Sequence, residues 1–330
     1  MRPLLFFLAI SWFLPPLVYS TETVEVRLVR QIPLDAGNIR DIDLLVGPDG
    51  RIWTINMEYG TISAWNEHGE ITGKFNARSR QDPPLRRFIG FTWSPSGEIA
   101  VGNLYDRSID FYSTEGDMTQ SLPTEDFSCF KLYFVDSGDL IIHRIPHDGL
   151  SARQELAVLE PSFRVKTIIV SHPLAQSGAR LEPFAPTLRW IATQSGKIYC
   201  ARFSGYRIEI YDVDGVLLNE ISQEHDPVEI TQDEKDGFLA MMPPMYEVKF
   251  PVHHPAIMDM TVDERGRLYV RTRKKGPAPY RFPIDIFDEY GGRIGYFFIE
   301  GKPLFWDNGN LYAITNGPIG DLILNVYRLD

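Results

Sequence analysis

The stretch Val262-Asp263-Glu264-Arg265-Gly266-Arg267-Leu268-Tyr269-Val270 is one of six copies of a single pattern in this chain. In each copy an apolar run leads into a turn that ends in Gly, and a second apolar strand follows at once. The second residue after the Gly is always Ile or Leu, and in four of the six copies the third is Trp or Tyr. The six turn glycines are Gly50, Gly97, Gly138, Gly196, Gly266 and Gly309.

The spacing of these copies predicts the architecture. Repeats of roughly 40 to 70 residues, each holding several short strands, are typical of a β-propeller with one blade per repeat. We therefore predict an all-β fold, a six-bladed β-propeller. The last repeat has only three strands, whereas Val24 to Val29 alternates between apolar and polar residues as a half-buried strand does. This N-terminal strand is predicted to complete the sixth blade and close the ring, which removes an open sheet edge.

One segment departs from the repeat. The interval between Gly196 and Gly266 is the longest of the series, and residues 222–256 carry the excess. Within it, Thr231-Gln232-Asp233-Glu234 has the form of a helix capping box, so we expect a short helical insertion between blades four and five. The insertion is interpreted either as a functional element or as a passive plug over one face of the ring.

The first twenty residues are predicted to be a signal peptide. Arg2 supplies a positive charge, Leu4 to Leu14 is apolar throughout, and Val18-Tyr19-Ser20 resembles a signal-peptidase site. An apolar run of about eleven residues is too short to span a bilayer, which takes about twenty. We expect cleavage near Ser20 and a secreted or periplasmic protein without stable membrane insertion, in which 21–330 form one propeller domain. An uncleaved membrane anchor is the alternative.

Composition limits the partners of this protein. The formal net charge is −11 at pH 7, which argues against nucleic-acid binding because that binding requires a basic surface. The chain has two cysteines, Cys129 and Cys200, on non-equivalent strands of blades three and four. Two buried free thiols are therefore predicted, with a disulfide as the alternative. We expect a monomer.

Two segments resemble a known family. Residues 262–270 and Ile284-Asp285-Ile286-Phe287-Asp288 resemble the six-bladed propellers related to NHL repeats, within the TolB-like superfamily, and the resemblance covers nearly all of 21–330. It implies a funnel-shaped ring with one ligand-binding face. Related propellers include peptidyl-amidating lyases and gluconolactonase-like hydrolases, which hold a metal in the funnel. This chain matches neither metal site without interruption, so the resemblance implies the fold and not a defined reaction.

Loop length differs between the two faces of the predicted ring. With strands named A to D from the centre outward, the D-to-A and B-to-C connections share one face, and these are the long ones. They are rich in basic residues, and the planar fork of arginine binds carboxylate or phosphate. The candidate ligand-binding residues on this long-loop face are Arg78, Arg80, Arg86, Arg87, Arg144, Arg202, Arg271, Arg273 and Lys274.

Asn56 and Asn103 end their B strands and could line the central channel, although Asn in that position commonly forms turns. The function predicted from these observations is a recognition scaffold that binds a peptide, glycan or protein partner. The more specific hypothesis is that this ligand is anionic. The competing interpretation is that the basic residues are ordinary loop charges in contact with solvent. No cofactor is required for this function, and catalysis is not expected.

The alternative function is a metal-dependent lyase or lactone hydrolase with its site in the funnel. A catalytic metal needs about three protein ligands that converge on an open coordination position. The histidines that could hold a divalent metal are His143, His253 and His254, but their spacing lacks the pattern of a metal site.

Overall fold

The computed structural model describes residues 22–34, 42–57, 59–77, 88–104, 106–148, 153–173, 180–184, 188–201, 205–242, 247–273, 281–317 and 322–329. These residues form six four-stranded antiparallel blades arranged as a propeller, which confirms the predicted fold. The predicted signal peptide lies outside the described residues.

Each blade is built from consecutive strands. The N-terminal segment contributes β1 (Glu22–Thr23) and β2 (Val26–Leu34). Blade one contains β3 (Ile42–Val46), β4 (Ile52–Asn56), β5 (Thr61–Trp65) and β6 (Ile71–Asn76). Blade two contains β7 (Phe88–Trp93), β8 (Ile99–Asn103), β9 (Ser108–Tyr112) and β10 (Met118–Pro123). Blade three contains β11 (Phe127–Phe134), β12 (Leu140–Pro146), β13 (Arg153–Leu159) and β14 (Val165–Pro173).

The second half of the chain repeats this plan around the insertion. After β15 (Arg180–Leu181), blade four contains β16 (Arg189–Ala192), β17 (Ile198–Ala201), β18 (Tyr206–Tyr211) and β19 (Leu217–Gln223). The insertion holds α1 (Gln232–Ala240) and β20 (Glu247–Val248). Blade five contains β21 (Ile257–Val262), β22 (Leu268–Thr272), β23 (Arg281–Phe287) and β24 (Arg293–Glu300). Blade six contains β25 (Lys302–Asp307), β26 (Asn310–Asn316) and β27 (Leu322–Leu329), and β2 is its outer strand.

The outer turn of blade three forms without a glycine. The left-handed position is occupied by Phe163, with φ of 63°, and its N–H donates to the carbonyl of Glu160 at 2.7 Å. A bulky residue in this conformation costs about 1–2 kcal/mol. The partly buried Phe163 ring packs edge-on against Phe111 of blade two, a type of contact that contributes about 0.5–1.5 kcal/mol and so opposes this cost.

The ring is closed by the N-terminal strand, as predicted. Strand β2 pairs antiparallel with β27 from Val26 opposite Leu329 to Leu34 opposite Leu322. The side chains of Ile32 and Leu34 are buried in a cluster that also includes residues of blade one. The short β1 was not predicted as a separate element; it adds in parallel to β24 of blade five. The N-terminal segment therefore joins two blades.

The turn at Gly69 packs directly against the closing strand. A Cβ at Gly69 would lie 2.4 Å from the carbonyl oxygen of Pro33, whereas a Cβ at Gly97 would meet nothing within 4 Å. Their φ angles are nearly equal, 80° and 81°. We expect Gly97→Ala to lower the free energy of unfolding by about 1 kcal/mol, the cost of the left-handed conformation. Gly69→Ala should lower it by about 3 kcal/mol because β2 must also move. Urea unfolding measures both, and equal losses would contradict the contact.

The helical insertion and the state of the two cysteines agree with the predictions from the sequence. Helix α1 carries the complete capping box: the Thr231 side chain accepts from the Glu234 N–H, and the Glu234 carboxylate accepts from the Thr231 N–H. Cys129 and Cys200 are buried free thiols, and burial raises the pKa of Cys129 to about 12. In the described part of the chain, no helix is both long and apolar enough to cross a membrane.

Candidate functional site

The six A strands surround a central cavity of about 940 Å³. Each A strand begins at the long-loop face, because the D-to-A connection leads into it, and ends at the turn glycine on the opposite face. One equivalent residue of every A strand, seven positions before its turn glycine, lines the cavity. We call these six residues the central ring: Asp43, Gly90, Lys131, Arg189, Asp259 and Lys302.

Three members of the central ring are cations that are exposed in the cavity: Lys131, Arg189 and Lys302. The Lys131 Nζ donates to the carbonyl oxygen of Trp190 at 2.9 Å and lies 4.6 Å from the centre of the Trp190 ring. Arg189 and Lys302 make no ion pair or side-chain hydrogen bond with any described residue. As far as the described ranges show, two of the three cations can therefore bind a ligand without displacing a protein partner.

The two acidic members of the ring already have partners. The carboxylate of Asp259 accepts from Nε of Arg271 at 2.8 Å and also from its Nη2. The Asp43 Oδ1 accepts from the Leu44 N–H at 3.0 Å. Gly90 leaves room for this carboxylate, since a Cβ there would lie 3.1 Å from Asp43 Oδ2. With Asp259 neutralised by Arg271, the ring carries an excess of positive charge.

The remaining titratable residues that line the cavity are Tyr133, His143, which lies opposite Lys131 in the strand pair, and Asp307. His143 lines the cavity from strand β12, where its Nε2 is 3.1 Å from Oε1 of Gln154. Asp307 also lines the cavity, but it is the last residue of β25 and so lies at the turn end, away from the long-loop face. The positive charge is therefore concentrated toward the long-loop face.

Burial in the centre of the molecule changes the protonation of the ring. Loss of hydration, opposed by the charge of Asp43 and aided by those of Lys302 and Arg189, lowers the pKa of Lys131 to about 8. The same loss of hydration raises the pKa of Asp43, against the effect of Lys302 and Lys131. Charged side chains in a cavity walled by protein are poorly hydrated. A counter-ion that enters the cavity therefore interacts with them more strongly than it would at the protein surface.

Local bulges in the A strands help to aim these side chains. The pairing of β11 with β12 skips Phe130, and that of β21 with β22 skips Met258. Each skipped residue immediately precedes a ring member, Lys131 or Asp259. A bulge bends the strand and redirects the next side chain, and bulges of this kind are frequent next to binding sites.

The arginines predicted from the sequence are placed differently from the ring. Arg144 is buried and donates through Nε and Nη2 to Oε2 of Glu155, at 3.0 and 2.8 Å. Arg271 forms an ion pair with Asp259, and Arg273 forms one with Glu234, in which Nη2 lies 2.5 Å from Oε1. Each of these three arginines is therefore in an ion pair within the protein. The other predicted basic residues lie outside the described residues: Arg78, Arg80, Arg86, Arg87, Arg202 and Lys274.

The two predicted asparagines cap B-to-C turns. Asn56 Oδ1 accepts from the N–H of Tyr59 at 2.9 Å. Asn103 is buried, donates to Asp106 Oδ2 at 2.9 Å and accepts from the Asp106 N–H at 3.1 Å. Neither residue lines the central cavity.

The three histidines named as possible metal ligands have separate surroundings. His143 contacts Gln154, as described above, and burial lowers its pKa. His254 Nε2 is 3.1 Å from a carboxylate oxygen of Glu234, and His253 forms a backbone bridge with Glu229. The ring itself offers amines, a guanidinium and two occupied carboxylates, a donor set that does not fit a divalent cation. Across the described ranges, no group of three or more His, Cys, Asp or Glu is placed to hold a metal ion.

The insertion is docked on the long-loop face rather than loose above it. Burial acts against the charge of Glu234, but the backbone and hydroxyl of Thr231 together with His254 hold its pKa at about 2. Phe184, from the loop between blades three and four, contacts Phe238 and Phe250 of the insertion with ring centres 6.1 and 6.2 Å apart. Strands β15 and β20 pair in parallel across the same contact. The insertion therefore forms part of the wall of this face.

Comparison with solved structures shows the same fold in distant proteins. A putative exported protein from Bacteroides fragilis matches with a TM-score of 0.60 and 12% identity, over 92% of this chain and 95% of that one. Virginiamycin B lyase from Staphylococcus aureus matches with a TM-score of 0.50 and 13% identity, over 92% and 99%. A luciferin-regenerating enzyme matches with a TM-score of 0.51 and 11% identity, over 90% and 94%. No protein-family model and no curated protein sequence matches this chain. The likeness shows the fold alone.

Sequence reasoning from loop arginines missed the central ring. A usable signal exists: when the six repeats are aligned on their turn glycines, the residue seven positions earlier is charged in five repeats and Gly in the sixth. Charged residues at an inward-facing position of an inner strand are unexpected unless they serve a site.

Proposed function

We propose that this protein is an exported recognition propeller that binds an anionic ligand through its long-loop face, with the central ring as the anchor. The observation that carries the proposal is the exposure of Lys131, Arg189 and Lys302 in one cavity with two ring carboxylates, of which Asp259 is already paired with Arg271. Cations fixed in a protein-walled cavity focus the field on an entering anion. The other basic residues of the long loops would add to this field.

The size of the cavity supports recognition of a small group rather than a whole folded surface. About 940 Å³ lies within the range of small-molecule sites. We propose that a carboxylate or phosphate of a peptide, glycan or protein partner enters the cavity, while the rest of the ligand contacts the long loops. The signal-peptide pattern supports export of the protein. The glycine-anchored repeat supports a relationship to NHL-repeat and TolB-like propellers. We also propose that the protein acts as a monomer.

The test compares two triple variants that remove equal charge. The ring variant removes the three cations of the central ring: Lys131→Met/Arg189→Met/Lys302→Met. The surface variant removes three exposed cations elsewhere: Lys74→Met/Arg164→Met/Arg265→Met. Probes are polygalacturonate fragments, poly-glutamate peptides and inorganic phosphate, measured by calorimetry at low salt. Because hydrogen bonds to charged groups contribute about 1.5–3 kcal/mol each, we expect the ring variant to weaken binding at least about 100-fold. The surface variant should stay within about threefold of the wild type.

Two results would overturn this function. One is equal affinity of both triple variants for every probe that the wild type binds. The other is a wild type that binds none of the acidic probes. Near-identical circular dichroism of the three proteins is the required control for folding.

A further inference from the structure

Lys131 differs from the other cations of the central ring in what surrounds its amine. The Trp190 ring covers one side of the amine, and the Trp190 carbonyl accepts one N–H, while the rest of the side chain is exposed to the cavity. Lys302 and Arg189 lie near enough to repel its proton. A lysine beside other cations in a poorly hydrated pocket is more nucleophilic than one at the surface, because more of it is neutral.

Asp43 supplies a second titratable group that lines the same cavity as this lysine. Of the charges that act on Lys131, Asp43 has the largest effect. Asp43 accepts a hydrogen bond from Leu44 and makes no ion pair with any described residue. Its burial favours the protonated carboxylic acid. A carboxyl group that can both hold and release a proton is what general acid–base catalysis requires.

From this juxtaposition of an amine, a carboxyl group and two further cations in one cavity, we propose that Lys131 captures an anionic aldehyde or ketone as a Schiff base. The inference rests on the proposed function, since the same cavity must first attract the anion. Lys302 and Arg189 would bind the carboxylate or phosphate of the ligand, and Lys131 would react with its carbonyl group. The ligand class is thereby narrowed to anions that carry a reactive carbonyl.

The chemistry balances without an oxidant or reductant. The neutral amine nitrogen of Lys131 attacks the carbonyl carbon, and the carbonyl π electrons move to oxygen. The protonated carboxyl group of Asp43 gives its proton to this oxygen, and the nitrogen then releases one proton to the resulting Asp43 carboxylate, which gives a carbinolamine. Asp43 then protonates the hydroxyl group, which leaves as water while the nitrogen lone pair forms the C=N bond. The products are a protonated imine, one water and the Asp43 carboxylate, and hydrolysis reverses these steps.

The test uses two probes, glyoxylate and pyridoxal 5′-phosphate, followed by reduction with borohydride. The protein is labelled at a low probe concentration, and tryptic peptides are then mapped by mass spectrometry. We expect about one probe molecule per chain, attached to Lys131. Uncharged pyridoxal should label Lys131 at least tenfold more slowly than its phosphate does. Asp43→Asn should slow imine formation at least tenfold, because general acid–base catalysis contributes about 100-fold or more.

The labelling rate should rise with pH as Lys131 loses its proton. The charged and titratable groups that act on this lysine are Asp43, Lys302, Asp259, Arg189 and, across the strand pair, His143. Because the pKa of Lys131 is lowered to about 8, the rate should level off above that value. Surface lysines would continue to gain reactivity up to about pH 10.

Lys131→Arg tests the covalent step by itself. The variant keeps a positive charge but has no amine that can form an imine, so labelling at the site should disappear. Label spread evenly over several lysines, or label retained in Lys131→Arg at the wild-type rate, would overturn the Schiff base. If no probe is trapped although the ring variant loses acidic-probe binding, the Schiff base fails and the recognition function stands.

Discussion

A chain that starts at residue 35 is expected to lose cooperative folding, whereas one that starts at residue 21 should fold. The deletion removes β1 and β2, so β27 becomes an open edge and blade six loses its outer strand. It also exposes the cluster that contains Ile32 and Leu34. Each of these side chains contributes about 1.5–3 kcal/mol by burial, and the hydrogen bonds of the strand add to this. The total approaches the whole stability of a typical domain, about 5–15 kcal/mol.

Single substitutions on the same strand provide the matched control. Leu34 is 1% exposed, whereas Leu28 is 45% exposed. We expect Leu34→Ala to lower the free energy of unfolding by about 3 kcal/mol and Leu28→Ala by less than about 0.5 kcal/mol. Urea unfolding followed by tryptophan fluorescence measures all four proteins. A shortened chain with an unchanged midpoint and slope would show that β2 does not close the ring.

Arg144→Met is expected to lower the free energy of unfolding by about 3 kcal/mol. Glu155 is 1% exposed and receives two hydrogen bonds from Arg144, so the substitution leaves a buried carboxylate without its main partner. Breaking a buried pair in this way typically costs about 3–5 kcal/mol. Arg153 still donates to Oε1 of Glu155 at 2.8 Å, which places the effect at the lower end.

Arg30→Met is the comparison for this buried pair. Arg30 Nη1 lies 2.9 Å from Oε2 of Glu67, but both side chains are largely exposed. Exposed pairs contribute about 0–1 kcal/mol, so little change is expected. If Arg144→Met were as stable as the wild type and instead lost affinity for acidic probes, Arg144 would be a ligand-binding residue, as the sequence-based hypothesis states. The ion pair with Glu155 favours the structural role.

The repeat itself was readable because its signals are local. A turn that needs positive φ selects Gly, and the apolar residues that follow it select a buried strand, so Gly266 and Leu268 identify a blade without any knowledge of the other five. The capping box at Thr231 and Glu234 was readable for the same reason, since its two hydrogen bonds join residues three positions apart.

The candidate site was less readable than the fold. Arginine content pointed to the long loops, but Arg144, Arg271 and Arg273 are paired with Glu155, Asp259 and Glu234. A sequence gives the charge of each residue and not the partner that neutralises it. Two of these three pairs, Arg144 with Glu155 and Arg271 with Asp259, join directly opposite residues of adjacent strands within one blade, whereas Arg273 with Glu234 joins blade five to the insertion.

By itself, the sequence determined the six repeats, the closing strand, the helix between blades four and five and the two free thiols. These features depend on neighbouring residues or on one pairing of the chain ends. Only the tertiary structure decided that Asp43, Lys131, Arg189, Asp259 and Lys302 share one cavity. They come from five different blades, and bulges at Phe130 and Met258 help to set which side chains face inward. Their electrostatic coupling exists because ring closure brings distant strands together and because burial at the centre removes the water that would otherwise screen them.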